Sequence, residues 1–160
     1  MRHTLILVTL ALSGLLGCAA TGQTSWPGFM ASLEPGKSNS PVPAHLPANT
    51  EITPPAGDLP AVRAGWSGKW TGWACQNRVC DTRLAVKKVT TDGAAIIYSF
   101  ASQQVGPVVL HVEAKFVGDE LQADIGGGAQ VAYRMRSDGN IDFMWTRGQN
   151  WVAGILSREK

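Results

Sequence analysis

The sequence predicts an all-β fold: a small up-and-down antiparallel meander of about eight short strands, closed or nearly closed into a barrel. Three observations carry that expectation. Apolar and polar residues alternate with period two over most of the second half of the chain, as in Val108, Leu110, Val112, Ala114 and Phe116 set against Val109, His111, Glu113 and Lys115. Turn signals separate these runs: Thr91-Asp92-Gly93, Val105-Gly106-Pro107, Gly118-Asp119, Gly126-Gly127-Gly128, Asp138-Gly139-Asn140 and Gly148-Gln149-Asn150. No helical periodicity is long enough to cover a sheet, so the apolar face is buried best by curling and closing.

The barrel domain is expected over residues 62–160. Its opening strand, Trp66 to Trp73, places Trp66, Gly68, Trp70 and Gly72 on one face and Ser67, Lys69 and Thr71 on the other. Leu84 and Val86 share a face in the next strand, then Ile96, Tyr98 and Phe100, Leu121, Ala123 and Ile125, Val131, Tyr133 and Met135, and Ile141, Phe143 and Trp145. Inward Trp, Phe, Tyr and Leu would largely fill so shallow an interior. Trp66, Trp70 and Trp145 are expected in the core, and Trp73 and Trp151, which break the alternation, are expected to be exposed. Cys75 and Cys80, with four residues between them, suit a disulfide that closes a turn between two strands and adds about 2 kcal/mol.

Ahead of this domain the composition changes. Eight of the nine prolines lie between residues 19 and 61, with few charges, which marks 18–61 as a flexible linker that reaches roughly 100 Å if stretched. Within it Trp26, Phe29, Met30 and Leu33 fall at helical spacing after Ser25 and Pro27, predicting one short amphipathic helix over 26–34 that forms only on a membrane or a partner. Residues 1–17 read as a signal peptide: Arg2 and His3 precede an apolar run, Thr4 to Leu16, too short to span a bilayer. The run ends in Leu15-Leu16-Gly17-Cys18, which resembles the bacterial lipobox. The resemblance implies that Cys18 is acylated, palmitate among its chains, and becomes the first residue of a lipid-anchored envelope protein. Ala19 after that cysteine implies the outer membrane, facing the periplasm.

Gly68-Lys69-Trp70 resembles the Gly-x-Trp signature in the first strand of lipocalins and related calycins, and Arg158 stands where that family places an Arg over the Trp at the closed end of the barrel. The resemblance implies a binding or structural module rather than an enzyme. The domain is shorter than a typical lipocalin, and Thr91-Asp92 is followed by Gly93 rather than by the family's Tyr. The closer likeness is to small bacterial lipoproteins with a C-terminal lipocalin-like barrel of unassigned function.

Charge and motifs narrow the chemistry. Charged residues make up 16% of the 160, against roughly 25% in ordinary domains, and the net charge is +2, so the electrostatic footprint of a nucleic-acid partner is missing. The one histidine of the barrel, His111, sits on the polar face of its strand, Asp119 and Glu120 alternate faces at a turn, and Gly126-Gly127-Gly128 lacks the helix and Lys of a phosphate loop. No cofactor or metal is expected. Two binding readings stand beside a purely structural one. Trp73 and Trp151 with the outward Arg134 and Arg136 suit peptidoglycan or another envelope glycan, through stacking and ion pairing. Phe143-Met144-Trp145-Thr146-Arg147-Gly148 is similar to a late stretch of membrane-bound lysozyme inhibitors, although Gly127-Gly128-Ala129 stands where their inserting Ser-Gly-x-x-Tyr loop would be. An envelope protein is a third possible partner.

Overall fold

A computed structural model describes residues 22–160. Eight strands follow one another: β1 (Gly68–Ala74), β2 (Cys80–Val89), β3 (Gly93–Ser102), β4 (Val108–Val117), β5 (Glu120–Gly126), β6 (Ala129–Met135), β7 (Ile141–Arg147) and β8 (Asn150–Arg158). Each pairs antiparallel with the next, and β8 returns to β1 to close the barrel. The expected all-β up-and-down architecture is therefore the one observed, and closure leaves no strand edge unpaired. The signal peptide and Cys18 lie outside the described residues.

Register decides which side chains meet inside. Trp70 stands opposite Leu84 on one side and Arg158 on the other, and Tyr133 opposite Leu121 and Phe143. One end of the barrel is plugged by Trp66 and Trp70, both wholly buried, with the Trp66 ring 5.8 Å from Phe116. The Arg158 guanidinium lies 4.1 Å from the centre of the Trp70 ring and donates to the Ser67 and Gly65 carbonyls. This is the packing that the lipocalin resemblance implied. Gly68 makes it possible: its φ is +136°, and a Cβ there would strike the guanidinium.

The expected free linker is instead a strap lying against the outside of the barrel. Thr24 N–H and the Trp26 indole donate to the Glu120 carboxylate at 3.0 and 2.7 Å, and Arg136 donates to the Leu33 carbonyl at 2.9 Å. Asn39 N–H bonds the Arg78 carbonyl, Ala44 N–H the Asp81 carboxylate, and Thr53 N–H the Lys87 carbonyl. Met30 and Ala44 are almost completely buried. The physical reason lies in the outer face of the sheet. Ala85, Ile97, Ala101, Ala132, Met144, Ala153 and Ile155 alternate with the inward set, yet all are buried, so a second apolar surface needed covering. A proline-rich segment cannot build its own ladder, but it can lean on groups that a folded barrel already presents. The helix expected over 26–34 is a five-residue 3₁₀ turn, Gly28–Ser32, begun after Pro27 with no side-chain cap from Ser25. Its partner is the barrel of the same chain.

Candidate functional site

The end opposite the Arg158–Trp70 plug is open. Four connections surround it, 75–79, 103–107, 127–128 and 148–149, and the Cys75–Cys80 disulfide ties the first of them. Inward residues near this end include the small Ala74, Thr82, Ser102, Ala129 and Gly154 beside Phe100, Trp145 and Arg147, whereas the plugged end carries Trp66, Trp70, Phe116 and Leu156. The taper leaves a cavity of about 310 Å³ in the mouth. Phe100, Val108 and Leu110 form one wall, Ile125, Trp145 and Val152 the other, Val105 lies at the rim and Tyr98 at the floor. Trp145, expected in the core, is partly exposed on this wall.

Below the cavity runs an aromatic layer. Phe143 stacks on Tyr98 at 5.9 Å and meets Tyr133 at 5.6 Å. Burial pushes the Tyr98 hydroxyl above its ordinary pKa, and burial followed by the proximity of Tyr98 raises Tyr133 well above it. Both phenols are therefore neutral donors across the physiological range. The Tyr133 hydroxyl is fully buried and has no hydrogen-bond partner among the described residues.

The two ends differ in surface chemistry as well. The mouth connections hold one charged residue, Arg78, with Arg147, Asp81 and Asp124 on the strand ends beside them. The plugged end carries Asp92, Asp119, Arg136, Asp138, Arg158, Glu159 and Lys160. Of the five exposed large apolar side chains among the described residues, four (Phe29, Val79, Val105 and Trp151) lie at or beside the mouth.

The residues singled out in the sequence fall into different settings. Trp151 is 51% exposed, its ring 5.7 Å from Phe29 on the strap. Trp73 points outward but is only 7% exposed, which corrects the expectation of a free indole. The strap covers it: its Nε1–H donates to the Glu34 carbonyl at 3.0 Å, and Arg78 lies 5.0 Å from its ring centre. Arg134 lies on the outward face of β6 and Arg136 just past its end, and both are engaged inside the molecule. Arg134 donates to Asp142 at 2.8 Å and lies 4.6 Å from the Trp26 ring centre, while Arg136 bonds the strap and faces Asp138 at 3.5 Å. These four residues therefore do not form one open platform. His111 is exposed on β4. Among the described residues no group of three or more His, Cys, Asp or Glu is placed to hold a metal ion, and no helix is long and apolar enough to cross a membrane.

Sequence reasoning assigned Tyr98, Phe100, Leu110, Ile125 and Tyr133 to plain core. The signal that could have separated them is the small-residue taper, which requires the register and cannot be read from alternation alone.

No family model matches the chain, and none of the curated proteins matches it. Among solved structures it is similar to a mutant of the fluorescent protein UnaG, with a TM-score of 0.41 and 11% identity over 60% of this chain and 97% of that one.

Proposed function

We propose that the chain is a non-enzymatic binding module of the bacterial envelope, tethered through acylated Cys18, whose ligand is a small apolar molecule seated in the mouth of the barrel. The observation that carries the reading is the mouth cavity, about 310 Å³, walled by aliphatic and aromatic side chains and free of charge. That volume stands at the lower edge of small-molecule sites, roughly 300 Å³ and upward. The Leu15-Leu16-Gly17-Cys18 lipobox supports the tether and the periplasm-facing outer-membrane location. Secreted protein carrying Cys18→Ser should bind a hydrophobic fluorescent probe saturably, one per chain, and Val108→Trp, which fills the mouth, should abolish binding. Probe binding that survives the filled mouth would reject the reading. Labelled palmitate should enter the native protein and be absent from Cys18→Ser.

A glycan-binding reading retains one exposed feature, the Phe29–Trp151 pair. Cosedimentation with purified peptidoglycan that is lost in Trp151→Ala would favour it over the mouth, and inhibition of lysozyme would favour the inhibitor likeness.

A further inference from the structure

We propose that the outer face of the barrel carries a second site, a trough for a short chain of uncharged sugar rings. It goes beyond the mouth reading, which concerns the interior. The strap crosses the sheet between residues 24 and 29: Thr24 is bonded to Glu120 on β5, Arg134 on β6 lies 4.6 Å from the Trp26 ring centre, and Phe29 meets Trp151 on β8. Beside that crossing a groove of about 630 Å³ remains between strap and strands. Strand register builds its floor. Gln122, Ala132 and Met144 face outward as one cross-strand row, and Gln130, Thr146 and Trp151 as the next row toward the mouth. Trp26 joins the lining from the strap and Trp151 from the last strand. The Trp26 ring is held in advance, because its Nε1–H donates to Glu120 at 2.7 Å, so little ordering entropy is left to lose when a ligand stacks on it.

The lining chemistry decides the class. No charged side chain among the described residues lines the groove, and Glu120 and Arg134 are already engaged with the strap and with Asp142. An ionic ligand would lose hydration with no countercharge to receive it. Gln122 donates to Thr24 and Glu120, which leaves its carbonyl oxygen as an acceptor; Gln130 and Thr146, opposite each other, form no side-chain hydrogen bond with another described residue. Amides and hydroxyls among aromatic faces match a sugar ring, which carries hydroxyls on its rim and C–H groups on its faces. An extended peptide would need a free strand edge, and the closed barrel offers none. From β5 to β8 the floor spans three strand spacings of ~4.8 Å, about 14 Å, which is room for about three rings in line.

The test is isothermal titration of Cys18→Ser protein with chitotriose, cellotriose and maltotriose, each against its own monosaccharide, and with trigalacturonate as a charged trisaccharide. At least one neutral trisaccharide should bind about tenfold more tightly than its monosaccharide and than trigalacturonate. Trp151→Ala and Gln130→Ala, both at exposed positions, should each weaken that binding about five- to tenfold, whereas Val108→Trp, which fills the mouth, should leave it unchanged. Binding of no neutral trisaccharide would overturn the proposal, as would equal binding of trigalacturonate. Binding that is lost in Val108→Trp and kept in Trp151→Ala would put the sugar in the mouth and overturn the trough. The hydrophobic probe reads the mouth separately, so either site can fail while the other stands.

Discussion

Trp70 combines two roles, filling the plugged end of the barrel and offering its face to Arg158. Trp70→Ala therefore removes packing and strands a guanidinium, and it should lower unfolding free energy by about 3 to 5 kcal/mol in a urea titration. A loss under about 1 kcal/mol would be a surface response and would contradict the plug. Glu120 governs a different equilibrium. Burial works against its charge, but hydrogen bonds from Thr24 and Trp26 on the strap and from Gln122 outweigh that, and its pKa lies below the usual carboxylate value. A depressed folded pKa means the stabilisation is present above the unfolded value and is lost as pH falls through the folded one. The strap should consequently be protected from protease at about pH 7 and cleaved near Trp26 at about pH 3, with Glu120→Gln cleaved at both. Asp81 has the opposite sign: burial raises its pKa despite the Ala44 N–H and Arg83, so its protonation in acid does not loosen the second half of the strap. At this scale the sequence was most legible where a residue type has one use: Gly68, Trp70, Arg158 and the Cys75–Cys80 pair stand as read. It was least legible at Trp73, because an outward side chain is exposed only when nothing lies over it.

The strap and the strands illustrate two kinds of information. Period-two alternation and glycine turns are local, so seven of the eight strands could be placed with their faces from the chain alone. Docking of residues 22–59 is non-local: proline-rich, weakly charged sequence cannot fold by itself, and nothing within the segment says that a partner surface exists. The indication lay elsewhere, in strands apolar on both faces, such as Gly93–Ser102 and the Val152–Leu156 part of β8. Removing residues 22–59 should therefore expose Met144, Ala153 and Ile155 and make the barrel bind a surface-hydrophobicity dye and aggregate, whereas the intact chain stays monodisperse in light scattering. The Cys75–Cys80 loop is a separate element. Peptide mapping without reduction should recover the two cysteines as one linked fragment, and reduction should cost about 2 kcal/mol.

For the whole molecule the docked strap changes the geometry of attachment. Gln23 lies beside Gly118 and Thr24 is bonded to Glu120, both at the plugged end. Thr24 is only six positions after Cys18, a covalent reach of about 20 Å at ~3.5 Å per residue. With the anchor proposed at Cys18, the barrel sits close to the bilayer rather than on the long stalk that its composition suggests. Energy transfer from a mouth label to a membrane dye should report that short separation, and should weaken sharply in Glu120→Gln. The mouth itself was not legible in the sequence, since alternation tells which face a residue occupies but not its depth along the axis. The strap also imposes an order of events. Its residues are synthesised first, yet the surface they need includes β5 to β8, made last, and its contacts span up to 105 positions along the chain. Such distant pairings form late. The strap is thus the last segment to settle, and until the final strand pairs with the first the chain carries its outer apolar face bare; under the envelope location proposed above, that is the interval in which a chaperone would matter most.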